Sequence, residues 1–375
     1  MIAAELEVVP VETRSARRAF RNLPYDLYRD DARWVPPLRA DERHRWSRRR
    51  NASLELRRAH RFLARRGHRV VGRVASVLDP EFARRWSPRA GMFGFFECEN
   101  DVPAARALLG AAEARLHDAG CRRVLGPVNL TTNDEVGLLI DGFDSPPMLL
   151  SPYAPPYYAD LVTAAGYVPH RDYHAYGWTP HTPLAPVVER VRRLARRRGV
   201  VVRASDPSRW NEEHRLLFEL YNAAFSDVWG FVPLSWSEYR ERAGSFRRFY
   251  RPELVLFAEC GGRPAGFGLA LPDVNELLAK VGGRLWPLGW LRLARGVPRL
   301  RTARFILLGV LPEFRALGVA VAVAAEMAEA ARRLGIERGE LSLVQAENRK
   351  IQTVIAACGG PRVKTYRLYE KRLGQ

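Results

Sequence analysis

Residues 303–335 read ARFILLGVLPEFRALGVAVAVAAEMAEAARRLG. An apolar run ends at Pro312, a short turn carries Arg315 and Gly318, and an alanine-rich stretch of helical periodicity follows at once. The residues closing the turn, Ala316, Gly318 and Ala320 among them, have little side chain to hide the backbone. The first N–H groups of the helix therefore stay reachable, at the positive end of its dipole. A strand, a tight turn and a helix start in this order suit a phosphate.

The hexapeptide Arg315-Ala316-Leu317-Gly318-Val319-Ala320 resembles the Gln/Arg-x-x-Gly-x-Gly/Ala signature of the GCN5-related N-acetyltransferases, and Val310-Leu311-Pro312-Glu313-Phe314 looks like that family's strand end. A second strand pattern at 340–345, followed by Asn348, keeps the family's order. The resemblance implies acetyl-CoA or another acyl-CoA as co-substrate, and no metal. It implies that the amides of Ala316, Leu317, Gly318, Val319 and Ala320 take the pyrophosphate, with Arg315 adding charge. Backbone groups of Leu308, Gly309 and Val310, on a strand that splays from its neighbour, would pair with pantetheine and polarise the acyl carbonyl. Asn348 would open the next helix beside the cofactor, a place where it also serves as a plain N-cap.

The sequence departs from the family in one respect. Where many members carry a tyrosine seven residues after that asparagine, placed to protonate the departing thiolate, this chain has Ile355. Tyr366 and Tyr369, on the last strand pattern, are the candidate substitutes. The stretch 304–311 also lacks the carboxylate the family often supplies as general base. Glu97 is the candidate from the equivalent region of the first half, beside Glu99, and Glu259 lies on a hairpin of the second.

The length, 375 residues, allows about two domains. Hydrophobic residues make up 47%, no stretch approaches a bilayer span, and the N-terminus lacks the layout of a signal peptide. Cys98, Cys121, Cys260 and Cys358 show neither metal-ligand nor disulfide-framework spacing, so a reducing cytoplasm is the expected location. The net charge of +19 would attract nucleic acid, an anionic membrane surface or the anionic cofactor. Lysine occurs at only four positions, so the excess is arginine spread end to end, which points to composition more than to a polyanion site.

The two halves read as copies. Pro37, Leu38 and Glu42 each precede Pro233, Leu234 and Glu238 by 196 residues; Gly67, Gly72 and Asp79 precede Gly261, Gly266 and Asp273 by 194. A near-constant offset over unlike residues marks an internal duplication. In the first copy the run Asn100-Asp101-Val102-Pro103 replaces the arginine–glycine turn, and an aspartate at a helix start repels phosphate, so this half is not expected to bind coenzyme A. Residues 179–199, with three prolines and then a basic helical pattern, read as the linker. The expected architecture is α/β (α+β): two tandem acyltransferase folds, each a mixed, mostly antiparallel twisted sheet flanked by helices. The expected bounds are 1–178 for a degenerate N-terminal copy and 200–375 for the C-terminal copy with the coenzyme A loop.

The first copy also carries a turn-rich cluster at 126–147 and the aromatics Tyr153, Tyr157 and Tyr158, read as loop chemistry or as an acceptor surface between the domains. In the second copy, 274–302 is an extra segment rich in Leu, Trp and Arg, read as packing, a lid or an interfacial element. The leading function is acyl-CoA-dependent N-acylation of a small-molecule or peptide amine, with a homodimer allowed and nucleic acid not favoured. The alternatives are a Fem-like aminoacyl-tRNA-dependent transferase, which has no need of the pyrophosphate loop, and an inactive binding protein of the same fold.

Overall fold

A computed structural model describes residues 5–374; positions 1–4, where the N-terminal stretch begins, and 375 lie outside it. In chain order the first part contains β1 (Leu6–Pro10), α1 (Arg14–Leu27), α2 (Arg39–Arg45), α3 (Ser53–Leu56), β2 (Arg58–Arg66) and β3 (Arg69–Leu78). It continues with α4 (Pro80–Arg85), β4 (Ala90–Cys98), α5 (Val102–Asp118), β5 (Arg123–Gly126), β6 (Leu138–Asp141), α6 (Tyr158–Ala164) and β7 (Val168–Trp178). There follow α7 (Pro186–Arg197), β8 (Val200–Ala204), α8 (Trp210–Ala224), α9 (Trp236–Phe246), β9 (Val255–Cys260), β10 (Arg263–Pro272), α10 (Asn275–Val281) and α11 (Gly289–Gly296). The last elements are β11 (Thr302–Val310), α12 (Val319–Arg333), β12 (Arg338–Gln345), α13 (Arg349–Cys358) and β13 (Arg362–Arg372).

Two compact units form. Unit 1 comprises Met1–Asp172, Gly282–Arg284 and Thr365–Gln375; unit 2 comprises Tyr173–Val281 and Leu285–Lys364. In unit 1 the strands run β1-β2-β3-β4-β5-β13, with β6 also on β13, and every pair is antiparallel except β4–β5. In unit 2 they run β8-β9-β10-β11-β12 and then the end of β7, antiparallel except β11–β12. The same strand plan thus occurs twice, each mostly antiparallel with one parallel step.

Register confirms the duplication residue by residue. Gly72 pairs with Cys98 in unit 1 as Gly266 pairs with Val310 in unit 2, and both hairpins turn on a glycine of positive φ, Gly67 and Gly261. The offset is 194 at the first member of each pair and 212 at the second, so an 18-residue insertion in the second copy lies between β10 and β11.

The units do not follow the expected bounds. β13 runs past Lys364 into unit 1, where Tyr369 to Arg372 pair with Gly126 to Arg123, while the end of β7 pairs with β12 from Gly339↔Trp178 to Gln345↔Tyr173. Each addition closes a sheet edge whose backbone groups would otherwise lie open. The expected linker is likewise an element of unit 2: α7 buries Val188 and Ala195, and its Arg192 pairs with Glu329 of α12.

Helices cover both faces of the unit 2 sheet. Val319, Val323 and Met327 of α12 pack with Ala258, Ala265 and Val310 on one side; Leu217, Leu220 and Ala224 of α8 pack with Phe257 and Phe267 on the other. Glycines permit this closeness. A Cβ on Gly266 would lie 2.6 Å from the Gly309 carbonyl oxygen, 3.1 Å from Val319 Cγ1 and 3.3 Å from Val310 Cα. Two of those three atoms are backbone and cannot swing aside, so Gly266→Ala is expected to cost about 1–3 kcal/mol. A fall in the urea midpoint without a change in its slope would confirm this.

Candidate active site

The opening in unit 2 begins where two parallel strands part. β11 and β12 pair only from Thr302↔Arg338 to Phe305↔Leu341. Beyond that point β11 stays with β10, reaching Val310↔Gly266, and β12 stays with β7, reaching Gln345↔Tyr173. The register of β10–β11 skips Ile306, a bulge that resets the alternation of the strand. Ala303 and Phe305 face the α12 core before it, Leu308 and Val310 after it. The edge of Leu308, Gly309 and Val310 that faced β12 is thereby left without a ladder partner, an edge able to bind an extended chain, although Arg315 takes the Val310 carbonyl.

Directly after β11, residues Pro312–Leu317 form a single 3₁₀ stretch that ends on Gly318, whose φ is +81°. The helical ladder of α12 starts with Ala322 N–H donating to Gly318 O at 3.0 Å. The amides of Val319, Ala320 and Val321 precede that first bond and head the helix without a side-chain cap. Gly318 is required twice over: a side chain disfavours that φ, and a Cβ would lie 2.8 Å from Val191 Cγ1 of α7. α7 supports the turn from outside, with Arg198 Nη1, just past its end, donating to Ala316 O at 3.2 Å. The turn is thus a rigid backbone cradle at a positive helix end, and its residues fit the pyrophosphate of an acyl-CoA.

Arg315 is occupied within the fold. Its guanidinium grips Asp227 with Nη1–Oδ2 at 2.6 Å and Nη2–Oδ1 at 3.0 Å, and donates to Ala224 O at 3.0 Å and Val310 O at 3.3 Å. One side chain so ties the end of α8, the end of β11 and the turn together. The pair depresses the Asp227 carboxyl below its ordinary range. The guanidinium expected to face phosphate is engaged by Asp227 and two backbone carbonyls, as a staple between elements. Asn348 caps α13, its Oδ1 accepting from Ile351 N–H at 3.3 Å.

The sequence reading missed a polar cluster at the root of the opening. Arg304 of β11 is buried and donates from Nε to Ser342 Oγ at 3.0 Å, and Ser342 Oγ donates to Glu340 Oε1 at 2.7 Å. Glu340 pairs in register with Arg304, so a buried carboxylate does stand beside β11, contributed by the neighbouring strand. The available signal was Glu340 and Ser342 on alternate positions of a strand that would lie against an arginine-bearing one. Unit 2 also has an open groove of about 750 Å³ between α8 and α9. Trp210, His214, Trp236 and Tyr239 line it; burial pushes the His214 pKa down, and its Nδ1 lies 2.7 Å from Tyr239 Oη.

The three catalytic candidates from the sequence all lie in unit 1, whereas the turn at Gly318 is in unit 2. Tyr366 and Tyr369 are carried there by β13 and are buried, Tyr369 in register with Gly126. Glu97 accepts from Tyr28 Oη and Tyr158 Oη and pairs with Arg73, and burial pushes its carboxyl pKa up. Glu99 and Glu259 are held by Arg69 and Arg203.

Unit 1 repeats the parting of strands but fills it. β4 and β5 pair only from Ala90↔Arg123 to Met92↔Leu125. At Cys98, the counterpart of Val310, the N–H bonds to Tyr158 Oη at 3.0 Å and the C=O accepts from Tyr157 Oη at 2.9 Å. Asp101 caps α5 where unit 2 has Gly318, taking the Ala104 N–H at 3.0 Å and pairing with Arg66. Tyr158 is buried and Tyr157 half-buried, and both hydroxyls are engaged by the backbone of Cys98.

The profile of the Acetyltransferase (GNAT) family matches residues 215–360, which span the parted strands, the turn and α13. A curated relative, "Bacterial ceramide synthase" from Caulobacter vibrioides, is 35% identical over 99% of this chain and 98% of its own length. The chain belongs to the GNAT family. A second relative, "Protein YghO" of Escherichia coli, is 32% identical to this GNAT chain over 95% of it and 93% of the relative. Among solved structures, a tandem GNAT protein from the clavulanic acid biosynthesis pathway aligns with a TM-score of 0.57 at 15% identity and covers 99% of both chains, which shows a shared tandem fold. This GNAT protein is an N-acyltransferase. Among the described residues no cluster of metal-ligating side chains occurs, and no helix is long and apolar enough to cross a membrane.

The staple generates a test. Were Arg315 a direct phosphate ligand, removing Asp227 would free it and leave or improve coenzyme A affinity. As a staple it needs its partner, so Asp227→Ala and Arg315→Ala are both expected to weaken coenzyme A binding about tenfold by calorimetry, at a stability cost of about 1 kcal/mol or less for this partly exposed pair.

Proposed function

We propose that this protein transfers a long-chain acyl group from acyl-CoA to the primary amine of a long-chain amino alcohol, making an N-acylated lipid of the ceramide class. The observation that carries this reading is the end-to-end similarity, 35% over 99% of the chain, to a relative named bacterial ceramide synthase. Relatedness at this level covers both units, including the insertion.

The turn supports the donor half of the reading. Amides of Gly318 and of Val319 to Val321 would receive the pyrophosphate, and the free edge of Leu308 to Val310 would bind the pantetheine arm and hold the thioester carbonyl against an N–H donor. Such a donor, fixed before reaction, stabilises the charge that develops on the carbonyl oxygen. The uncharged amine attacks the carbonyl carbon; the C–N bond forms, the C–S bond breaks, and the thiolate leaves and takes up a proton. An enzyme drawing its acyl group from tRNA has no use for this turn, so an acyl-CoA donor is the reading it favours. Cytoplasmic acyl-CoA would supply the donor, and the acceptor would come from a membrane.

The test is a coupled thiol-release and mass-spectrometric assay with palmitoyl-CoA and sphinganine. Coenzyme A is expected to appear only when both are present, together with the amide. Gly318→Val, which forces a β-branched side chain into a positive φ and against Val191, is expected to lower kcat/KM at least about thirtyfold, or ~2 kcal/mol. Turnover of acetyl-CoA with small soluble amines, and none with the lipid pair, would overturn the assignment.

A further inference from the structure

The extra segment of the second copy forms a helical hairpin whose helices α10 and α11 belong to unit 2, while Gly282–Arg284 between them belong to unit 1. α10 and α11 pack closely, since a Cβ on Gly296 would come within 2.5 Å of Leu277 Cδ2, and Arg292 Nη1 donates to Lys280 O at 3.3 Å. Leu291 and Leu293 are half-buried beneath. At the tip the pattern inverts: Trp286 is 82% exposed, Leu288 60% and Trp290 53%. Three large apolar side chains within five residues make a contiguous patch of the kind that marks an interaction site.

The surroundings of the patch say what covers it. Lys280, Arg284, Arg292, Arg295 and Arg299 are all exposed, and none has an ion-pair partner among the described residues. From 275 to 300 the sequence contains one acidic residue, Glu276, whose carboxylate is engaged by the Thr302 hydroxyl. Tryptophan favours the boundary between headgroups and acyl chains, and arginine matches phosphate with a fork of donors. Exposed apolar side chains among exposed cations of the same segment fit an anionic lipid surface; a second copy of this patch would meet it with like charge.

We propose that the tip of the α10–α11 hairpin is an interfacial anchor that seats Trp286, Leu288 and Trp290 in the headgroup boundary of an anionic phospholipid bilayer while its arginines meet the phosphates. The anchor goes with the lipid-acceptor reading, because a long-chain amino alcohol resides in a bilayer, but its test uses no substrate.

The full-length protein is floated with phosphatidylcholine vesicles, with and without about 30% phosphatidylglycerol. The wild type is expected to float with the anionic vesicles and to be released by salt. The pair Trp286→Ser and Trp290→Ser is expected to weaken that binding at least about tenfold. Arg292→Gln, Arg295→Gln and Arg299→Gln together are expected to abolish the preference for phosphatidylglycerol. An unchanged thermal midpoint in both variants shows that the fold survives. The proposal falls if the wild type ignores both vesicles, if the tryptophan variant floats as well as the wild type, or if that variant turns an oligomer into a monomer without lipid. If flotation and its loss behave as stated while coenzyme A gives no thermal shift, the anchor stands and the acyl-CoA reading falls.

Discussion

The parting of β11 from β12 is the constraint on which the rest of unit 2 depends. Two parallel strands that separate after four paired residues leave backbone N–H and C=O groups without a ladder partner, and such groups are costly unless something bonds to them. The surrounding structure keeps the parting open. The bulge at Ile306 turns Leu308 and Val310 into the α12 core, Phe267 and Ala224 press on Gly309 from the other face, and Arg315 fixes the strand's last carbonyl. Because packing on both faces holds the edge, a donor substrate meets groups already placed and loses little binding energy to ordering them.

Unit 1 shows how little has to change for the same plan to close its open edge. The strands part there as well, yet tyrosine hydroxyls satisfy both backbone groups of Cys98, and Asp101 puts a carboxylate at the helix start. Unit 1 closes its edge with tyrosine hydroxyls and a carboxylate cap; unit 2 keeps a glycine cap without a side-chain bond and a strand edge without a ladder partner. The Cys98 and Val310 positions are occupied by the same backbone geometry with opposite consequences.

What was legible in the sequence was what is local or copied. The turn could be read because strand end, glycine and helix start are adjacent in the chain, and because φ at Gly318 is a property of that residue. The tandem fold could be read because the offset between Gly72 and Gly266 survived divergence. Contacts between distant residues were not legible. Nothing around Arg315 names Asp227, 88 positions earlier, as its partner, and nothing in the alternation of β13 says which sheet it joins. The edge of β5 decides that, and it carries Tyr366 and Tyr369 into unit 1. Glu340 is not legible as a neighbour of β11 from the chain around it, because the two meet across a parallel pair 36 residues apart in sequence.

The divergence between the copies also locates what evolution added. Backbone recognition of a thioester tolerates many side chains, so the donor turn leaves the choice of acceptor open. That choice has to reside in parts that differ. Between β10 and β11 the second copy gained 18 residues, and a surface loop absorbs such an addition at small entropic cost. The segment is rich in leucine, tryptophan and arginine, and its hairpin leaves Trp286, Leu288 and Trp290 in water while Leu291 and Leu293 are half-buried. The extra segment stands directly before β11, the strand whose parting from β12 leaves an edge that unit 1 fills with tyrosines, so what was added and what was kept open are neighbours in the chain.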